Sequence, residues 1–312
     1  MAGSTPFVAV AGATGHLGSL IVLNLCKKDV AVKALIRPGT SGSRTQHLRE
    51  AGCQITEVDM TDVPTLTEAL TGATTVVSAL QGLKGVIIDA QGALLEAAMA
   101  AKVRRFIPSD FSLDFTKTTP GTNRNLDLRR EFHAKLDASG IEWTSVLNGC
   151  FMEVVTTRQM PLINDAFHLI THFGSVDQKM DVTTVPDVAA YTAAVAADPH
   201  PKPKFLRIAG DVFTAKEMAV VMTKLRGKQF TTQWVGSAGF LSILIGVLKL
   251  FIGGVEDKLF PPWQGMQYML NMISGEGKLN PLDNDRYPEL KWTSVEQAIR
   301  EADAAKAKEK ST

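Results

Sequence analysis

Residues 7–18, FVAVAGATGHLG, run from an apolar segment through a turn with three glycines into a helical pattern. Phe7–Ala11 reads as a strand and Leu17–Lys27 as the helix that follows it. Each glycine then has its own task. Gly12 makes the tight turn, Gly15 lets a pyrophosphate approach the backbone, and Gly18 lets helix and strand pack closely. Free N–H groups and the dipole at the helix N-terminus favour phosphate. Glycines in this spacing are common, but between a strand and a helix they mark a dinucleotide site built from Gly12, Ala13, Thr14, Gly15, His16, Leu17 and Gly18.

Outward from this unit the pattern repeats. Val30–Ile36, Gln54–Val58, Thr75–Ala79 and Arg105–Pro108 read as strands, with helical stretches at 41–51, 63–71 and 85–101 among them. A helix over 125–138 and a strand Thr144–Leu147 come next. Strands alternating with helices imply a parallel sheet, and near-continuous apolar strands imply cover on both faces. The expected fold is α/β, a doubly wound parallel sheet of Rossmann type with a smaller C-terminal substrate lobe. The division expected is 1–155 for the dinucleotide core and 156–312 for a lobe intertwined with it. In that lobe Asp181–Ala197 reads as a strand leading into a helix, Lys204–Ile208 and Gln229–Val235 as strands, and Ala215–Leu225 as a helix. A last helix, 294–308, runs into a charged tail expected to fray.

The second strand selects the cofactor. Sites for NAD usually end it with Asp or Glu on the ribose 2′-hydroxyl. Here it ends Ile36-Arg37-Pro38, with Arg44 shortly after and no acid between. A guanidinium binds a 2′-phosphate bidentately and a carboxylate repels it, so NADP(H) is expected. Ligands in such sheets lie outside the carboxyl ends of the strands. That adds Asp59 and Met60 beside the adenine, and Ser78, Ala79, Leu80 and Gln81 beside the ribose and nicotinamide.

With 45% apolar and 21% charged residues the chain can bury a large core, and its net charge of +1 gives no global field to recruit nucleic acid or an anionic membrane. Cys26, Cys53 and Cys150 form no CxxC pair, and MAGSTPFVAVAG enters a strand without a signal core, so a cytoplasmic location is expected. No HExxH or GxSxG occurs, and no metal is expected. Phe240–Ile252 (FLSILIGVLKLFI) is too short to span a bilayer, and Lys249 interrupts it. It reads as a buried helix or a lid over the substrate, with membrane-surface contact or a subunit interface, such as a homodimer's, as alternatives.

The motifs GATGHLG, LIRPG, VDMTD, VVSALQG, RRFIPSDFSLDF and GIEWTSVLNGCF occur in this order over about residues 6–155. In them the chain resembles the NmrA-like and isoflavone-reductase-like group of atypical short-chain dehydrogenases. The resemblance implies a Rossmann core, NADP(H), and a substrate pocket between the core and a smaller lobe. Reductases of this group carry a proton-donating lysine on the helix before the GI-x-(Y/W)-T strand. Anchored on Gly140-Ile141-Glu142-Trp143-Thr144, that position holds Arg129. An arginine stays protonated, so it suits oxyanion stabilisation better than proton donation.

Read from the residues, Arg129, Phe132, His133 and Leu136 share one helix face. Arg129 and His133 then face the crevice, or Asp127, Arg129, Arg130 and Glu131 form an ordinary charged face; both readings stand. Lys117, in the loop with Asp114, is a second candidate donor, and His133 a third, since histidine ordinarily titrates near neutrality. Tyr287-x-x-x-Lys291 copies the usual dehydrogenase pair, but Pro288 disfavours the helix it needs. The function expected is an NADPH-dependent oxidoreductase of secondary metabolism, acting on a small apolar, aromatic or polyketide-like molecule. The alternatives are an NADP(H)-sensing regulator of a protein partner and a cofactor-bound isomerase or cyclase.

Overall fold

The computed structural model describes residues 5–157, 162–252 and 257–309. In chain order these form β1 (Phe7–Ala11), α1 (His16–Cys26), β2 (Val32–Ile36), α2 (Gln46–Glu50), β3 (Gln54–Glu57), α3 (Val63–Leu70) and β4 (Ala73–Ser78). Next come α4 (Gln91–Ala100), β5 (Arg105–Ile107), α5 (Arg124–Ser139), β6 (Glu142–Trp143), β7 (Ser145–Leu147), β8 (Cys150–Phe151) and α6 (Met152–Thr156). The chain continues through β9 (Ile163–Asn164), β10 (Leu169–Phe173), β11 (Met180–Thr183), α7 (Val185–Ala197), β12 (Phe205–Arg207) and β13 (Asp211–Phe213). It closes with α8 (Ala215–Arg226), β14 (Thr231–Gly236), α9 (Ala238–Phe251), α10 (Pro262–Ile273) and α11 (Val295–Glu309).

Two compact units emerge, each taking several stretches of chain. The first comprises residues 1–111, 125–146 and 188–206. Its six-stranded sheet has the order β3-β2-β1-β4-β5-β6, and every pairing is parallel. This is the doubly wound Rossmann order, which reverses beside β1. The strands are apolar because both faces are covered. Ala9, Ala11, Leu35, Val76 and Phe106 are buried in one cluster with Leu66, Ile87, Leu94, Phe132 and Leu136 of the helical segments.

The second unit comprises 112–124, 147–187 and 207–312. It holds two three-stranded sheets, β14-β10-β9 and β13-β11-β8. Its core gathers Met152, Ile170, Val182, Met218, Met222, Trp263, Met269 and Ile299.

Several elements differ from the sequence reading. The second strand starts at Val32, because Val30 still donates its N–H to Leu25 at the end of α1. The stretch 85–101 opens with a π-helical turn, Gly85–Ala90, before α4. Expected strand Thr144–Leu147 is cut at Thr144, so that β6 ends the large sheet and β7 pairs with β12. Strands β9, β10 and β13 carry too little periodicity to be read, and β10 is held by parallel pairing with a segment sixty residues away in sequence. Apolar α9 is not a buried helix: only Leu241 and Ile245 of it are buried. The final helix reaches Glu309, and 310–312 of the expected frayed tail lie outside the described residues.

Candidate active site

The glycine-rich turn has the geometry its residues call for. Gly12 sits at φ +78°, in the left-handed region, and a Cβ there would stand 2.5 Å from the carbonyl oxygen of Ala79. A Cβ on Gly18 would collide with the carbonyl of Gly12, so helix α1 can pack onto the turn only through glycine. Gly15 caps α1 without a side-chain hydrogen bond, and the first turn carries no acid. The amides there have no acceptor inside the helix, which is the donor set a pyrophosphate takes.

The carboxyl ends of β1 and β4 meet at this turn. Ala11 and Ser78 are register partners, and the Ala79 amide donates to Ala11 over 2.9 Å. The hydroxyl of Ser78 is buried with no partner among the described residues. Leu80 is tied to the end of β5 by the Ser109 hydroxyl, which donates to its carbonyl over 2.5 Å. Loop 78–81 thus lies against the glycine turn, at the point where the strand order reverses.

Arg44 reaches the same turn, its Nη2 donating to the Thr14 carbonyl over 3.2 Å. Arg37 is exposed at the end of β2, with no side-chain partner among the described residues. The acid aligned with Ile36 in the next strand, Glu57, accepts from the Gly39 amide at 3.4 Å. Asp59 accepts from the amide and hydroxyl of Thr61, and these bonds hold its carboxyl below the usual range. Met60 is buried in the core cluster, so its side chain serves packing. Two free or lightly engaged guanidinium groups, orphan amides and a crowded glycine fit an NADP-type dinucleotide.

Arg129 and His133 come together on one residue that the sequence reading missed, Asp110. Nε of Arg129 donates to the Asp110 carbonyl over 2.9 Å, and Nη1 donates to the Asn125 carbonyl over 2.8 Å. Its Nη2 has no partner among the described residues. His133 Nε2 lies 2.7 Å from Asp110 Oδ2, and its ring packs 4.8 Å from Trp143 and 5.6 Å from Phe205. Asp110 is buried, and its Oδ1 has no partner among the described residues. The available signal was its place, an acid three residues beyond a parallel strand.

Lys117 belongs to the second unit. Its ammonium lies 3.2 Å from Asp114 Oδ2 and donates to the carbonyls of Lys278 and Asn280 over 3.0 and 3.2 Å. These three acceptors match all three of its N–H groups. Asp114 also binds Arg207 Nε at 2.7 Å. Tyr287 and Lys291 lie outside any helix, as Pro288 requires.

Strand order and turn define a dinucleotide-binding protein of the Rossmann type. The chain belongs to the NmrA-like family, whose model matches residues 4–296. Pinoresinol reductase 1 of Arabidopsis thaliana is 28% identical over 315 residues, which cover 94% of this chain and 96% of that protein. Isoflavone reductase homolog IRL of Zea mays is 26% identical over 313 residues, with coverages of 96% and 99%. Among solved structures, AtPrR2 with NADP+ and (+)pinoresinol matches with a TM-score of 0.79 at 23% identity, over 96% of this chain and 99% of that one. NADPH-dependent quinone oxidoreductase QOR2 from Escherichia coli matches at 0.73 and 24%, over 95% and 99%.

Proposed function

We propose that the chain is an NADPH-dependent reductase of the isoflavone-reductase-like type, acting on a small apolar, aromatic or polyketide-like molecule. The observation that carries this reading is the Gly12–Ala79 approach with two guanidinium groups at the same edge, in a chain whose relatives carry reductase names. In this proposal residues 1–155 hold the cofactor and 156–312 face the substrate. The amides of 12–18 hold the pyrophosphate, Arg37 and Arg44 the 2′-phosphate, and Asp59 flanks the adenosine. Loop 78–81 borders the ribose and nicotinamide. When bound, the reduced nicotinamide supplies a hydride.

The unengaged Nη2 of Arg129 suits an oxyanion that develops as the substrate accepts electrons. Its other bonds fix that guanidinium at two backbone carbonyls, so no side-chain rearrangement is needed. His133, already paired with a carboxylate, is a better proton source than Lys117, whose three donors are committed to acceptors. Anaerobic mixing with NADPH and a panel of enones, quinones and lactones, followed at the nicotinamide absorbance, tests the reading. Absence of oxidation across the panel counts against it.

One observation favours a second reading, a non-catalytic NADP(H)-responsive regulator. Arg129 replaces the donor lysine and is tied to backbone like a structural arginine. A pull-down comparing NADP+-loaded with NADPH-loaded protein separates the two, since only the regulator retains a partner in one state and not the other.

A further inference from the structure

The 14 residues of α9 are apolar on two opposite sides. Leu241 and Ile245 enter the core of the second unit. Phe240, Ile243, Val247, Leu250 and Phe251 fall on the other side, within an arc of about 100° at the helical repeat. They are exposed, Ile243 by 68% and both Leu250 and Phe251 by 82%. Phe260 adds a further exposed ring at 57%, close in sequence to Trp263, whose indole packs under the Lys249 ammonium at 4.9 Å. A row of five large side chains in water exceeds what scattered surface apolar residues explain.

We infer that this face of α9 docks in the interfacial layer of a lipid bilayer. Two features select lipid over a protein partner. The outer arc offers almost no hydrogen-bonding group: Ser242 and Lys249 are the polar side chains of the whole helix. A protein interface of comparable size carries about one hydrogen bond per 100–200 Å², whereas acyl chains require none. The helix also contains no acid, and its one charge is a lysine near the C-terminal end with no carboxylate partner among the described residues. That cation complements an anionic headgroup while its alkyl stem lies along the apolar face. No helix among the described residues is long and apolar enough to cross a membrane. Anchored on its other side in the protein core, α9 lies in the plane of the surface.

Flotation of the full chain with vesicles of mixed phosphatidylcholine and phosphatidylserine tests this. Wild type is expected to float. Ile243→Asp with Leu250→Asp should weaken partitioning by about tenfold or more, since each removes an apolar side chain from the layer. Lys249→Glu should weaken it about fivefold on the mixed vesicles and little on phosphatidylcholine alone, the scale of one basic residue at an anionic surface. Circular dichroism and NADPH titration should match wild type in all variants. If the double variant misfolds, Phe251→Ser alone provides the comparison. Failure of wild type to float, flotation indifferent to these substitutions, or a dimer by light scattering that the double variant abolishes would each overturn the inference, the last by giving the face to a second copy.

Discussion

Gly12 and Gly15 allow the stability of the turn to be separated from its capacity to hold a phosphate. Alanine at Gly12 would have to adopt φ +78° and bring its Cβ to 2.5 Å from the Ala79 oxygen and 2.8 Å from its carbon. The left-handed backbone costs an L-residue about 1–2 kcal/mol. The overlapping atoms are backbone at the end of β4, which can yield only by loosening the β1–β4 pairing, and such overpacking adds about 1–3 kcal/mol. Gly12→Ala is therefore expected to lose about 2–5 kcal/mol from a total that is only about 5–15 kcal/mol. Gly15 differs. Its backbone is extended, at φ −81° and ψ 163°, and a Cβ there meets only the Gly12 oxygen, at 3.3 Å. Gly15→Val should stay folded, within about 1.5 kcal/mol of wild type. Its side chain nevertheless fills the space a pyrophosphate needs and should reduce NADPH affinity by about 100-fold or more, equivalent to one or two charge-assisted hydrogen bonds. Urea unfolding followed by circular dichroism measures the first effect, and fluorescence titration with NADPH the second. A folded Gly15→Val protein that binds like wild type refutes the placement of the pyrophosphate, and a Gly12→Ala protein of unchanged stability refutes the reading of the turn.

Arg37→Ala should reduce the preference for NADPH over NADH by about tenfold, or ~1.4 kcal/mol; calorimetry giving equal affinities in wild type would remove the 2′-phosphate assignment. Arg129→Met should lower kcat by about two orders of magnitude, the scale of one lost oxyanion contact, with NADPH affinity nearly unchanged; wild-type turnover would return Arg129 to a structural role. Burial pushes the Asp114 carboxyl up, but bonds from Thr116, Arg207 and Lys117 outweigh this and hold it below the ordinary value. A depressed folded-state value gives stability that is present above the unfolded carboxylate value of about 3.9 and lost as pH falls through the folded one. Arg207→Met should accordingly lower the urea midpoint at neutral pH and much less at about pH 3, and an equal loss at both would exclude the ion pair as its cause. Burial, followed by the nearby charge of Cys26, pushes the Cys53 thiol up to about 12, so alkylation at mildly alkaline pH should require unfolding; rapid labelling of the native protein would contradict this.

The first unit was legible because its signals are local. A strand, a glycine turn and a helix follow one another within twenty residues, and each glycine answers to an atom a short distance along the chain or one strand away. Parallel strands covered on both faces appear as apolar runs that no neighbour has to explain. The second unit depends on partners that are distant in sequence. β10 acquires its strand character from residues 231–236, and β13 from β11. Neither segment is periodic enough to be read alone. α9 failed for the opposite reason. Its composition signals burial, but composition cannot report which side of a helix meets a core, and here only one side does.

Asp110 shows the same limit at the level of a single residue. Helical spacing placed Arg129 and His133 one turn apart on α5, and with no partner in view a crevice-facing pair and a solvated charged face looked alike. The partner lies 19 and 23 residues earlier, where the chain leaves β5. There one acid binds the imidazole through its side chain and the guanidinium through its carbonyl. This shared anchor constrains what Arg129→Lys can report. A lysine keeps the positive charge but is a point donor on a flexible stem, and it cannot reproduce the fork that spans the carbonyls of Asp110 and Asn125 while leaving Nη2 unengaged. If charge alone stabilises the developing oxyanion, Arg129→Lys retains substantial turnover. If the fork's fixed direction matters, turnover falls towards that of Arg129→Met although the cation remains. The comparison of these two variants therefore measures orientation separately from charge.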